Sequence, residues 1–117
     1  MAARGQTITG ISDIPATGNV DNVIKDRPGT TLFRRSSVQV FLTREGADVL
    51  SSVTVGGSNV MPLGPVNIDT VVGSIPSTQD DLIIEVIAQA GDEIIISGTN
   101  ANAAAQELRA LVKIFPI

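Results

Sequence analysis

Between Asp81 and Ile96 the chain reads DLIIEVIAQAGDEIII, two apolar runs joined by a short polar stretch. Side chains alternate between faces along a strand, so a hairpin here places Leu82, Ile84 and Val86 on one face, and Ile83 and Ile87 on the other with Glu85 between them. In the second run Ile94 and Ile96 share a face and Ile95 takes the opposite one. Gly91 supplies the backbone freedom that a tight connection needs. Both faces of this hairpin are therefore apolar, whereas a sheet in a small antiparallel domain normally keeps one face for water.

The same period of two recurs upstream. In SVQVFLT, Val38, Val40 and Leu42 alternate with Gln39, Phe41 and Thr43; VLSSVTV sets Val49, Val53 and Val55 on one side and stops at Gly56-Gly57. VNIDTVV is a short strand fenced by Pro62, Gly64 and Pro65 before it and Gly73 after it. Turns recur every ten to fifteen residues or so, a spacing that predicts an all-β fold: a single β-sandwich of jelly-roll type. Residues 1–31 are rich in Gly, Thr, Asn, Asp and Pro, with too few apolar residues for a helical stripe. They predict an extended N-terminal arm with one short strand near Thr7 to Ile11 and turns at Pro15, Gly18 and Pro28-Gly29, leaving 32–117 as the sandwich domain.

The last segment, NANAAAQELRALVKIFPI, fits two templates. A helix would align Ala101, Ala104, Ala105, Leu108, Leu111 and Val112 behind an Asn102 cap. A strand would alternate Leu108, Ala110, Val112 and Ile114 with Glu107, Arg109, Leu111 and Lys113. The strand is preferred, because LVKIF is β-prone and a lone helix would need an open sheet face to lie on.

Composition narrows function. The 117 residues include no Cys, His, Tyr or Trp, and the only aromatics are Phe33, Phe41 and Phe115. Without Cys or His there are no disulfides, no metal sites of those ligands and no imidazole relay. Without clustered aromatic rings a stacking platform for sugars or unpaired bases is not expected. No signal-peptide core and no apolar run near the ~18 residues of a membrane span is visible, so the expectation is a soluble chain without membrane contact. One domain of this length buries roughly 65% of its unfolded surface, enough for one core.

Charge is uneven. Residues 1–45 carry six bases against four acids, a net of +2, while the remainder carries two bases against eight acids, a net of −6. This asymmetry suits an end that docks on an acidic surface, although scattered bases also serve simply as a solvated surface. Arg34-Arg35 opens the first long strand near Lys25 and Arg27; the overall charge of −4 speaks against nucleic acid and for a protein partner or a guarded sheet edge. The acidic pairs Asp80-Asp81 and Asp92-Glu93 flank the hairpin. They suit gatekeeping of apolar strands better than calcium binding, since no calcium-loop motif is present. Glycoside hydrolysis by paired carboxylates lacks aromatic residues to hold the sugar. No catalytic constellation emerges, and no enzyme activity, cofactor or small-molecule substrate is expected.

A single sandwich leaves Ile83, Ile87, Ile95, Leu111 and Phe115 on faces that should be wet. Either the arm covers them, or identical chains do so about a symmetry axis; the second is preferred, because cyclic homo-oligomers bury such patches repeatedly. A cysteine-free, aromatic-poor sandwich with a polar arm and an ending that reads AGDEIIISGTNANAAAQELRALVKI resembles the small decoration, or cement, proteins of tailed-bacteriophage heads. The likeness is one of architecture and carries no signature residue. It implies a homotrimer, made in the host cytoplasm and placed on the outer capsid surface of the virion, where it bridges major capsid protein subunits. In that reading Arg4, Lys25, Arg27, Arg34 and Arg35 grip the shell and the apolar second face joins the trimer. The alternative is a fibre or adhesin-like, carbohydrate-binding sandwich.

Overall fold

Two strands of alternating apolar residues form the middle of the first sheet: β3 (Ser36–Arg44) and β9 (Gln106–Pro116), antiparallel and in register from Ser36 opposite Pro116 to Arg44 opposite Leu108. Their inward positions, Val38, Val40 and Leu42 against Ile114, Val112 and Ala110, are all buried. β1 (Gln6–Ile14) pairs with the other side of β9, while β7 (Leu82–Ala88) and the short parallel β6 (Asn67–Ile68) share the free side of β3. The second sheet runs β2-β8-β4-β5, with β2 at Asn19–Val20, β4 at Val49–Val55, β5 at Ser58–Gly64 and β8 at Ile94–Asn100. The computed structural model describes residues 5–25 and 27–117; Arg4, assigned above to the arm, lies outside them.

The topology follows from one long hairpin rolled on itself. Its tip is the β4–β5 turn, where Gly56 and Gly57 both take positive φ (59° and 83°), as a two-residue turn matched to strand twist requires. Below the tip, β3 pairs β7, β2 pairs β8 and β1 pairs β9, every pair antiparallel. Successive pairs fall in alternate sheets, giving β1-β9-β3-β7 over β2-β8-β4-β5, the strand order of a jelly roll. Between the sheets lies one core, built from β3, β4, β8 and β9 and closed by Ile8, Ile14, Val23, Ile24 and Leu32. The C-terminal segment is a strand, as preferred: between β1 and β3 its backbone finds partners on both sides, which a helix there would forgo.

Two features go beyond the expectations. The segment expected as an extended arm is, over its described residues, held by the body of the sandwich. β1 is bonded to β9 along all nine of its residues, Val23 N–H donates to the Ile96 carbonyl at 2.7 Å, and Asn22 Oδ1 accepts from the backbone of Ile24 and Ile96. Apolar density here is low because the segment is held mainly by backbone pairing, which composition does not report. The second feature concerns the hairpin: a register shift at Val40/Phe41 bulges β7 at Ile83. Leu82 thus lies opposite outward Phe41, while Ile84 lies opposite inward Val40, and the two residues expected on one face part company.

Gly10 tests this docking of the N-terminal segment. A Cβ there would stand 2.6 Å from the Val23 carbonyl oxygen, a backbone atom that cannot swing away. Gly10→Ala is expected to lower stability by about 1–3 kcal/mol in urea unfolding; an unchanged midpoint would show that residues 22–24 do not press on β1.

Candidate functional site: the outward face of the first sheet

Register places the outward residues of the first sheet in rows. Ser37 stands between Ile87 and Phe115, Gln39 between Glu85 and Lys113, and Phe41 between Leu82 and Leu111; β9 then hands Leu111 to Thr9 and Arg109 to Ile11. Glu85 accepts a hydrogen bond from Gln39 Nε2, so the polar row is tied across strands. Half of this face is dry: Phe41, Thr43, Arg109 and Leu111 are buried although they point away from the core.

The cover is a strap, residues 69–76, between β6 and β7. Arg109, with no exposed surface, donates through Nη1 to the Asp69 carbonyl at 2.5 Å and through Nη2 to the Val71 carbonyl at 2.8 Å. Its Nε and Nη2 also meet Glu107 Oε1 at 2.9 and 2.8 Å, and that oxygen accepts the Gly73 N–H at 2.9 Å. A buried guanidinium is tolerable only when its donors are used in this way. Asp69 Oδ1 closes the near end of the strap by accepting the Val71 N–H. Both carboxyls are held below their ordinary pKa: Glu107 chiefly by the Gly73 N–H and then by Arg109, Asp69 chiefly by the Val71 N–H.

The other half of the face is bare. Ile87 and Phe115, both opposite Ser37, are 49% and 43% exposed, and Leu82 is similarly open. Val71, Val72 and Ile75 of the strap itself, and Ile11 on β1, are exposed as well. A cleft of about 200 Å³ runs between Ile75-Pro76 and the Thr9–Ile11 stretch of β1, with Arg27 at its lining.

Of the five residues predicted to form one apolar face, the structure brings together Ile87 and Phe115. Leu111 shares their face but lies under the strap, Ile83 turns at the bulge to pack partly against the core, and Ile95 belongs to the outer face of the second sheet. Lys25, Arg27, Arg34 and Arg35 are all exposed. Among the described residues the one ion pair is Arg109–Glu107, and none of these four bases is paired with a described carboxylate. The acidic pairs organise loops. Asp81 accepts Ser77 N–H and Asn67 Nδ2, and Asp92 accepts Gln89 N–H. No group of three or more Asp or Glu that could hold a metal occurs among the described residues.

Sequence reasoning missed Arg109 and the strap. The available signal was a charged residue within LRALVK, on the same alternating face as Leu111. It also passed over Phe33, which is 97% exposed. The chain matches no protein-family model, no curated protein and no solved structure, so this surface is read from its own chemistry.

Two outcomes are expected of the latch. Arg109→Ala should cost about 3–5 kcal/mol, the penalty for breaking a buried, hydrogen-bonded pair, and should raise binding of an apolar dye as Phe41 and Leu111 are uncovered; a loss under about 1 kcal/mol would mean the strap is held otherwise. Because the folded-state pKa values of Glu107 and Asp69 are lowered, their stabilisation is complete above the ordinary carboxyl values of 4.5 and 3.8 and is lost as pH falls through the folded-state values. In an NMR titration the Gly73 amide should therefore move with a midpoint below 4.5 while the Val112 amide stays still; a midpoint at or above 4.5 would contradict the assigned contacts.

Proposed function

We propose that the chain is a structural virion protein of the decoration class, which assembles with itself as a homotrimer and stabilises a phage capsid by bridging major capsid subunits. The observation that supports this reading is the one-sided distribution of exposed apolar side chains. Of the eleven large hydrophobics exposed among the described residues, four lie on the outward side of the first sheet, Ile11, Leu82, Ile87 and Phe115, and three more, Val71, Val72 and Ile75, lie on the strap tied to it by Arg109. Full burial of such a side chain gains roughly 1.5–3 kcal/mol, so seven half-exposed ones hold on the order of 5–10 kcal/mol per copy. Association costs on the order of 4–15 kcal/mol, so a face of this size balances that cost only when it is covered as a whole. A closed ring of identical chains does that.

On a capsid the mechanism is linkage. A protein that binds the assembled shell and not its separated subunits shifts the equilibrium toward the shell, by about 2.7 kcal/mol per site at a free concentration one hundred times Kd. The four exposed bases, Lys25, Arg27, Arg34 and Arg35, supply contacts to an acidic shell surface. A second reading, a glycan-binding module, is favoured by a different feature: a polar concavity of about 520 Å³ lined by Thr17, Asn19, Thr99 and Asn100.

Light scattering over a concentration series separates these readings. The decoration reading expects a mass three times 12.1 kDa, falling to monomer for Ile87→Asp, and a raised melting temperature of empty heads when the wild-type protein is added. A monomer at every concentration, with reproducible hits on a glycan array, would replace it with the second reading.

A further inference from the structure

At the end of the sandwich where β3 begins and β9 stops, Phe33 stands almost wholly in solvent beside a cleft of about 220 Å³. The floor of the cleft is apolar, made by Leu32, Ile114 and Pro116, with Thr31 and Arg34 on its walls and one side of Phe33 itself completing it. An enclosed apolar cavity of about 150 Å³ accepts benzene, so by volume this more open, partly polar cleft has room for a phenyl ring. We infer that the occupant is Phe33 of a second copy of this chain, so that each ring fills the cleft of a neighbour. The inference rests on the self-association proposed above and assigns a contact to it.

Three features of this end fit a second copy. Knob and cleft are adjacent, so a symmetry axis close by brings each ring to the opposing cleft in a single docking step. A ring entering the cleft meets the neighbour's Phe33, in reach of an offset aromatic pair, and the guanidinium of Arg34, which favours an aromatic face. The charges there are mixed: Arg34 and Arg35 are exposed and make no ion pair among the described residues, and exposed Glu93 is bridged to Thr31 on the cleft wall. Two copies can therefore match opposite charges around the rings, whereas a uniformly basic end would repel itself. An aromatic anchor in an apolar pocket with arginine beside it is the usual composition of an interface hot spot.

The test uses the full chain and two surface substitutions. Phe33→Ser removes the ring and with it one wall of the cleft, leaving the floor of Leu32, Ile114 and Pro116 open; Thr31→Trp plugs the cleft and keeps the ring. Both alter exposed residues, so far-ultraviolet circular dichroism and melting should match the wild type. In analytical ultracentrifugation each variant alone is expected to associate at least about thirtyfold more weakly than wild type. An equimolar mixture should recover part of the association, because the open cleft of one accepts the ring of the other in one contact of each assembly. If the wild type assembles and Ile87→Asp dissociates it while Phe33→Ser does not, the Phe33 contact is wrong and the self-association reading stands. If the wild type is monomeric throughout, both fall. Two variants that weaken assembly alone but recover nothing when mixed also overturn the contact.

Discussion

The guanidinium of Arg109 lies on the outward face of a central strand, where an uncompensated charge in a dry site would cost several kcal/mol. It is tolerable because the Asp69 and Val71 carbonyls and the Glu107 carboxylate accept its hydrogens. Two of those acceptors are themselves fixed, Glu107 by the Gly73 N–H and Asp69 through the Arg44 carbonyl that takes its own N–H. The strap is therefore part of the fold, and its position divides the second face of the sheet. Phe41 and Leu111 are dry beneath it; Ile87 and Phe115, beyond its reach, are not. The apolar excess of the hairpin thus has two fates within one sheet, and the buried cation sets the border between them.

That border depends in turn on the rolled topology. β9 is the last strand of the chain, yet it lies in the middle of its sheet and bonds both the first strand and the third. Ordering it closes the longest loop of the chain, from Gln6 to Ile114, and such closure must be offset by many contacts made together. Its inward residues supply them against β3, while its outward Glu107 and Arg109 hold the strap. A single strand therefore unites the core, the N-terminal edge and the cover of the outer face.

Much of this was legible from alternation alone. Val38, Val40, Leu42, Val49, Val53, Ile94 and Ile96 take the inward positions that their spacing predicts, and LVKIF forms a strand. What was not legible depends on partners distant in sequence. Sparse Ile8, Ile14, Val23 and Ile24 resemble an arm until β9 is placed beside β1, because backbone hydrogen bonds leave no trace in composition. The bulge at Ile83 is a register event, and one residue of slip is enough to turn an alternating run over. Of the predicted apolar face, Ile87 and Phe115 meet because they flank the same residue, Ser37; Ile95 could be separated from them only by knowing which sheet received β8. The strap was invisible because nothing in its own sequence, DTVVGSIP, states that a buried arginine elsewhere will hold its carbonyls.

The sheet edges decide what kind of association an exposed apolar face permits. An open strand edge invites further strands, and with them fibres rather than closed assemblies. Here each long edge is interrupted. Along β1 the chain turns back so that Val23 presses on Gly10 and Gln6 Nε2 reaches the Pro28 carbonyl. β7 carries the bulge at Ile83 and the charge of Glu85, and β5 contains Pro62, which has no N–H to offer. The fourth edge, β2, is only two residues long. With its edges blunted and its apolar surface gathered mainly on one face and one end, the self-association proposed above would proceed by packing side chains rather than by extending the sheet. Packing of that kind can close around an axis and stop, as a capsid-bound oligomer of fixed size would require.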